Sequence, residues 1–334
     1  MAAANDSPAV PALGVEDNSG RICFIIYNFI ILFLAVIGDT IILLATTRYK
    51  ALRLHRVIVV VIQHIALCDL LLVLVKVFPA IITSVANYWV FGEFLGHLQS
   101  NLYTMINGMI LLLTCAMSTI KLLVLKFPFI SRTWSIQQGH FICVAVWSFH
   151  FFIESPLIFA KLRYWKDTLY YDYSYYVSSY DLLSAETPTG MTMYLGIYLT
   201  IYPCILFLTT LIASILILVR ARISAGRHAE SLRWEGITTV LATVVVFYIP
   251  FLPMYFAFSI QNVYQKHVFS ETYIRISSSF SIVNIPANFF IYCCTVSSFR
   301  SFLSTKFIAI FYRTSKRNDP ASNSIRTTNT ITGV

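Results

Sequence analysis

The sequence has 334 residues, of which 57% are hydrophobic, 15% aromatic and only 12% charged, and its mean hydropathy is +0.72. Soluble domains carry about 25% charged residues, so this composition excludes an ordinary soluble protein and indicates a chain that lies in a lipid bilayer. The net charge of +9 comes from basic residues scattered through loops between apolar segments. It therefore indicates membrane topology and attraction to anionic membrane lipid, and we expect no nucleic-acid partner.

Seven apolar segments follow one another along the chain. Each is long enough to cross a hydrocarbon core of about 30 Å as a helix, which takes roughly 20 residues. They cover approximately residues 23–47, 57–82, 98–125, 139–160, 192–219, 236–260 and 273–295. Transmembrane β-barrels alternate polar and apolar residues with a period of two, whereas these segments are continuously apolar. The sequence therefore predicts an all-α membrane protein that forms a seven-transmembrane helix bundle.

Basic residues are concentrated in every second loop, which predicts the orientation of the bundle. The loops after the first, third and fifth segments and the C-terminal tail hold Arg48, Lys50, Arg53, Arg56, Lys126, Arg132, Arg220, Arg222, Arg227, Arg233, Arg300, Lys306, Arg313, Lys316, Arg317 and Arg326. Because such loops stay in the cytoplasm, we expect a multi-pass protein of the plasma membrane with an extracellular tail over residues 1–22. In that tail, Asn5 begins a match to an N-glycosylation acceptor, although so short a match also arises by chance.

Short sequence motifs occur in a definite order in the predicted helices and in one of the loops. The second segment carries "HIALCDLLLV" with Asp69, and the loop after it reads "WVFGEF". The fourth segment has Trp147 and then Pro156 nine residues later, the sixth contains "FYIP", and the seventh ends in "NIPANFFIYCC". Together these resemble the "LAxxD", "WxFG", "CWxP" and "NxxxNPxxY" motifs of rhodopsin-like (class A) G-protein-coupled receptors. The resemblance covers about residues 23–312, and it implies a receptor that couples an extracellular ligand to a heterotrimeric G protein.

The resemblance also implies a polar network between the first, second and seventh helices. Its members are Asp39, Asp69, Asn284, Asn288 and Tyr292. The last three are spaced i, i+4, i+8 and so share one face of a helix. Two carboxylates in one low-dielectric network do not both ionise readily, so we expect one to stay protonated. A conformational switch is one interpretation, and a structural cluster of hydrogen bonds is the other. Sodium binding is not expected, because Ile110 stands where related receptors supply a hydroxyl.

Several positions depart from the family pattern. Ile120-Lys121-Leu122 replaces the "DRY" triplet, with Pro128 seven residues after Lys121 as in the family. Glu230 lies where some members carry the acid that pairs with this site, so the sequence predicts either a resting-state contact between Lys121 and Glu230 or two side chains that face solvent. The seventh segment contains no lysine, which excludes a retinal Schiff base. Tyr103 stands where amine receptors carry an aspartate, so a biogenic-amine ligand is not expected.

The outer half of the predicted bundle contains candidate ligand-binding residues. Lys76 lies two helical turns after Asp69, and Glu154 lies on the fourth segment. Lys76 is expected to bind an acidic ligand group, to pair with Glu154, or to extend its ammonium group toward water. The remaining candidates are Tyr103, Asn107, Tyr248, Phe251 and Tyr255. They form either an aromatic ligand pocket or ordinary core packing.

The loops and the C-terminus give further expectations. Tyr170 and Tyr171 beside Asp172 are either sulfated, which would suit a basic peptide ligand, or packed as an aromatic lid. Residues 296–313 place apolar side chains at helical spacing, which predicts a cytoplasmic amphipathic eighth helix in the membrane interface. Residues 314–334 are rich in Ser, Thr and Asn and are expected to be disordered.

Two other classes of function are compatible with seven apolar helices. A receptor-shaped protein with weak or no G-protein coupling, acting as a scaffold or decoy, remains an alternative. A transporter or channel is a third, but the sequence contains no internal repeat of the kind that transporters show. The sequence also contains no HExxH, no metal-spaced Cys/His set and no nucleophile motif, so neither enzymatic activity nor a cofactor is expected.

Overall fold

Helices make up most of this computed structural model. It describes residues 12–13, 18–48, 55–164, 169–172, 177–180, 194, 197–223, 242, 245–246, 248–257, 260 and 269–305. The helices are α1 (Asn18–Arg48), α2 (Arg56–Ala86), α3 (Gly92–Lys126), α4 (Ile136–Tyr164), α5 (197–223), α6 (248–257), α7 (Glu271–Ile282 and Asn284–Thr295, with a turn at Val283) and α8 (297–305). A short helix, Pro128–Ser131, lies between α3 and α4.

Within the described residues, five helices are long and apolar enough to cross a membrane. They are Ser19–Thr47, Arg56–Ala86, Gly92–Lys126, Ile136–Tyr164 and Thr272–Thr295, and a shorter apolar helix covers Tyr202–Ile217. Many large apolar side chains on these helices point away from the protein, for example Phe141, Phe152 and Phe159 on α4. In water such a surface would be unfavourable, whereas in lipid it matches the solvent. These observations support a multi-pass membrane protein.

Helix α2 is continuous but irregular. An α-helical part, Arg56–Leu72, passes into a π turn at Val73–Val77 and then into a second α-helical part, Phe78–Ala86. It ends at Asn87, whose φ of 63° closes the helix in the left-handed conformation. The hydrogen bonds of a π turn run one residue further than in an α-helix, and such turns occur frequently at functional sites.

The turn between α2 and α3 is held by a tryptophan. Trp89 is buried, and its Nε1 donates a hydrogen bond to the carbonyl oxygen of Gly92 at 2.7 Å. Gly92 has a φ of 75°, a conformation that side chains with a Cβ rarely adopt. The "WVFGEF" motif therefore forms a defined turn at the start of α3.

A small sheet lies at this same end of the bundle, which the all-α expectation did not anticipate. Strand β1 (Ala12–Leu13) pairs in parallel with β2 (Leu169–Asp172), and β2 pairs antiparallel with β3 (Val177–Tyr180). Strand β3 packs against α3 and against residues 78–86 of α2. We call this end of the molecule the sheet end.

The helices pack around α2 and α3. Helix α3 contacts α2, α4 and α5, and α1 contacts α2 and α7. At the end opposite the sheet, His55 precedes α2, where its Nδ1 accepts a hydrogen bond from the Val57 amide at 3.3 Å. Its Nε2 donates to the carbonyl oxygen of Ser131 at 2.7 Å, so one histidine both caps α2 and joins it to the short helix after α3.

The observed helix bounds differ from the predicted segments by a few residues. Helix α1 begins at Asn18, within the predicted tail 1–22, and α5 is described over 197–223, beyond the predicted end at 219. Of the predicted segment 236–260, the structure describes a helix over 248–257, and of the predicted eighth helix 296–313 it describes helical residues 297–305. Asn5, Glu230 and residues 314–334 lie outside the described residues.

Candidate functional site

The predicted polar network lies together in the middle of the bundle. Asp39, Asp69, Asn284, Asn288 and Tyr292 are all buried. Asn288 Nδ2 donates a hydrogen bond to Asp69 Oδ2 at 2.8 Å and so joins α7 to α2. Asp39 is close enough to Asp69 for the two carboxylates to interact electrostatically. Among the residues that the structure describes, the Asp39 carboxylate, the Asn284 amide and the Tyr292 hydroxyl have no hydrogen-bond partner.

Next to this network, α1 and α7 approach each other closely. A Cβ added to Gly38 would lie 2.7 Å from Cβ of Phe289. Phe289 occupies the position where the family pattern usually has proline. Its side chain takes up the space beside Gly38, so this departure from the motif is matched by a glycine on the neighbouring helix.

Lys76 lies in the π turn of α2, closer to the sheet end than Asp69. Only 2% of its surface is exposed. Its Nζ donates to the Tyr103 hydroxyl at 2.7 Å and to Ser278 Oγ at 3.4 Å, and it lies 4.3 Å from the centre of the Tyr103 ring. A charged group at the centre of a bilayer costs at least ~2.5 kcal/mol, and both of these partners are uncharged.

Glu154 belongs to a separate cluster on the other side of α3. Its Oε1 accepts a hydrogen bond from Thr104 Oγ1 at 2.9 Å, and the same hydroxyl accepts one from Lys161 Nζ at 3.1 Å. Of the three alternatives for Lys76, the pair with Glu154 is therefore not formed among the described residues, and its 2% exposure shows that the ammonium group does not extend to water. Each side chain bonds instead to one of two consecutive residues of α3, Tyr103 and Thr104.

A layer of histidine and tyrosine next to Glu154 was not predicted. His150 is buried; its Nε2 donates to the Met105 carbonyl oxygen at 3.0 Å, and its Nδ1 lies 3.2 Å from the Tyr202 hydroxyl, from which it accepts. Gly108 makes room for this imidazole, because an added Cβ would lie 2.4 Å from His150 Cε1.

Tyr202 and Tyr198 of α5 form a stack of three rings with Tyr194, which precedes α5 in the chain. The rings of Tyr194 and Tyr198 lie 6.4 Å apart, and those of Tyr198 and Tyr202 lie 5.8 Å apart, each pair inclined by 12°. The i, i+4, i+8 spacing of these residues is visible in the sequence and is the signal that could have identified them.

The aromatic candidates on α6 also face the interior of the bundle. Tyr248 and Phe251 are buried, and Tyr255 is partly buried. The Tyr248 hydroxyl forms a hydrogen bond with that of Thr210 on α5 at 2.9 Å, and the rings of Phe251 and Tyr255 lie 5.8 Å apart. On α3, Asn107 is buried one turn after Tyr103.

Lys121 lies near the end of α3 opposite the sheet. It is 8% exposed, and its Nζ has no hydrogen-bond partner among the described residues. The alternative that this side chain faces solvent is therefore not what the structure shows. Its expected partner, Glu230, lies outside the described residues.

Comparison with known families is consistent with this architecture. The sequence profile described as "7 transmembrane receptor (rhodopsin family)" matches residues 38–292. The chain belongs to this receptor family. No curated protein sequence matched the chain. The part of the receptor that matches begins at Gly38 and ends at Tyr292, so it contains the whole polar network together with Lys76 and Lys121.

Proposed function

We propose that this receptor resides in the plasma membrane and couples an extracellular ligand, a peptide or a small non-amine molecule, to a heterotrimeric G protein. It would do so as a bundle of seven transmembrane helices with a cytoplasmic eighth helix over 296–313. The observation that carries the proposal is the polar network of α1, α2 and α7, in which one hydrogen bond joins Asp69 to Asn288 and several buried polar atoms have no described partner.

This network supports a switching role. A buried polar group without a hydrogen bond costs about 1–3 kcal/mol, so the arrangement described here leaves free energy to be gained by a different one. A ligand that favours the alternative arrangement would shift the population of the bundle toward it. We propose that α6 then pivots at Pro250 and opens a cleft at the cytoplasmic end, where Lys121 lies.

The test is nucleotide exchange on a panel of purified G proteins, with the receptor reconstituted in lipid. The unliganded wild type should accelerate exchange on at least one G protein, and Lys121→Ala should reduce that acceleration. Lys126→Ala is the matched control, because Lys126 lies on the same helix and its side chain is exposed. If both variants behave as the wild type, Lys121 has no part in coupling.

The orientation and the resting-state contact are tested separately. We propose that residues 1–22 are extracellular and glycosylated at Asn5, that 23–295 form the membrane domain, and that 314–334 form a cytoplasmic tail. Asn5→Gln should then lose a glycan visible as a change in electrophoretic mobility. We also propose that Lys121 contacts Glu230 at rest, so Glu230→Gln should raise basal exchange; an unchanged basal rate would contradict the contact.

A second candidate function is a receptor-shaped scaffold or decoy that does not activate G proteins. The replacement of the "DRY" triplet favours it, because Ile120 removes the acid that normally neighbours the cation at Lys121. Such a protein would give no nucleotide exchange on any G protein. A transporter or channel is the third candidate, and ion flux into vesicles that contain the purified protein would reveal it.

A further inference from the structure

We infer that Lys76 is the anchor for an acidic ligand, and that the receptor recognises a molecule with a carboxylate next to an aromatic or aliphatic body. This inference rests on the proposed ligand-binding function and names the class of ligand. It follows from the different surroundings of Lys76 and Glu154, two buried charged residues on either side of α3.

The first step concerns the charge of Lys76. An ammonium group has three hydrogens to donate and is favoured by an anion nearby. The structure gives it two hydroxyl partners, Tyr103 at 2.7 Å and Ser278 at 3.4 Å. Neither carries a negative charge, and no other partner of Lys76 exists among the described residues. The Lys76 side chain is only 2% exposed. One of the three hydrogens of its ammonium group therefore remains to be donated to a ligand.

The second step concerns Glu154, which would favour a cationic ligand if it were unpaired. Thr104 donates to its Oε1 and accepts from Lys161, and Lys161 interacts electrostatically with Glu154. The described residues thus place a cation near this carboxylate, although Glu154 Oε2 itself has no hydrogen-bond partner among them. Because Glu154 has a cation nearby and the described partners of Lys76 are uncharged, the ligand is expected to bring a negative charge.

The third step concerns the surroundings of Lys76. Tyr255 of α6 lies close enough to Tyr103 of α3 for their side chains to interact electrostatically. It interacts in the same way with Tyr202 of α5. Phe251 packs against Tyr255. Aromatic side chains therefore extend from Lys76 toward α5 and α6, as in ligand pockets that combine an apolar lining with few polar anchors. The π turn that holds Lys76 is itself a feature found frequently at functional sites.

The experiment measures ligand-induced thermal stabilisation of the full-length receptor purified in detergent, with no G protein present. The probes are phenylpropanoate, phenylbutyrate and indolepropanoate, each beside its methyl ester and the amine of the same skeleton. The acids should stabilise the wild type at concentrations about tenfold or more below those of the esters and amines, as expected for a close charge pair. Lys76→Met should abolish this preference, and Lys76→Arg, which keeps the charge, should retain part of it.

Lys126→Met is the matched control, since it removes one positive charge at an exposed position and should leave the preference for acids unchanged. The inference is wrong if the acids stabilise the wild type no better than the esters and amines, or if Lys76→Met keeps the preference. Stabilisation by acids through Lys76 without nucleotide exchange would overturn the proposed coupling and leave the inference standing. Nucleotide exchange without any preference for acids would overturn the inference and leave the proposed coupling standing.

Discussion

Gly108 on α3 provides a sharp test of how the interior of this receptor is packed. In a Gly108→Ala variant, the new methyl group would lie 2.4 Å from Cε1 and 2.7 Å from Nε2 of His150. Ordinary contacts between such atoms begin near 3.5 Å, so the imidazole must move by about 1 Å. That movement lengthens its hydrogen bonds to Met105, now 3.0 Å, and to Tyr202, now 3.2 Å.

The expected loss of stability follows from three contributions. Overpacking a core costs about 1–3 kcal/mol. Two side-chain hydrogen bonds inside a membrane protein are worth roughly 0.6 kcal/mol each. Alanine is favoured over glycine in a helix by about 1 kcal/mol, which offsets part of the loss. Gly108→Ala should therefore lower the free energy of unfolding by about 1–3 kcal/mol.

Unfolding of the purified receptor in mixed micelles measures this difference. Gly139→Ala is the control, because its added Cβ would meet Val60 and Val57 at 3.1–3.3 Å, and a loss of less than about 1 kcal/mol is expected. In a His150→Ala background, the cost of Gly108→Ala should disappear, since the clashing ring is gone. The same cost with and without His150 would refute the steric explanation.

Three further substitutions test other parts of the structure. Tyr248→Phe removes the 2.9 Å hydrogen bond to Thr210 and should lower the free energy of unfolding by about 0.6–1.7 kcal/mol. Combining it with Thr210→Val should lower this free energy little further, and fully additive losses would contradict the bond. Trp89→Phe removes the 2.7 Å hydrogen bond to the Gly92 carbonyl oxygen and should lower the free energy of unfolding by about 0.5–1.5 kcal/mol. It should also speed proteolysis of the turn between α2 and α3, and an unchanged cleavage rate would show that Trp89 does not hold this turn. Asp39→Asn removes one of two buried, interacting carboxylates; it should stabilise the receptor and change basal nucleotide exchange, and an unchanged basal rate with normal expression would disprove the switch.

The sequence predicted the five long apolar helices of the described residues well, because their length is set by the thickness of the bilayer. The shared buried face of Asn284, Asn288 and Tyr292 on α7 was also predictable, since helical periodicity places such residues together. A membrane helix is apolar both on the side that faces lipid and on most of the side that packs against other helices. Its polar residues therefore show which side faces the protein, because lipid offers them no hydrogen-bond partner.

Partners across helices were less predictable. The sequence allowed Lys76 to pair with Glu154, but in the structure they bond to Tyr103 and Thr104 respectively. Consecutive residues of a helix point about 100° apart, so α3 holds the two charged groups on different sides. Which partners Lys76 and Glu154 find depends on the relative positions of α2, α3 and α4. The spacing of residues along one helix does not determine those positions. The sheet was missed for a similar reason, because β1 and β2 come from segments far apart in the chain.

The π turn of α2 has a consequence for how the length of this helix can change. A π turn takes one residue more than the α-helical turn it replaces, so it absorbs an extra residue while the helix on either side keeps its orientation. Deleting a single lipid-facing residue such as Leu74, which is 61% exposed, would convert Val73–Val77 to a regular α-helix and leave both flanking parts of α2 facing as before. Only residues inside the turn would change direction, so Asp69 would stay in place while Lys76 shifted relative to Tyr103. A change of one residue in length would thus move the proposed ligand anchor without altering the polar network.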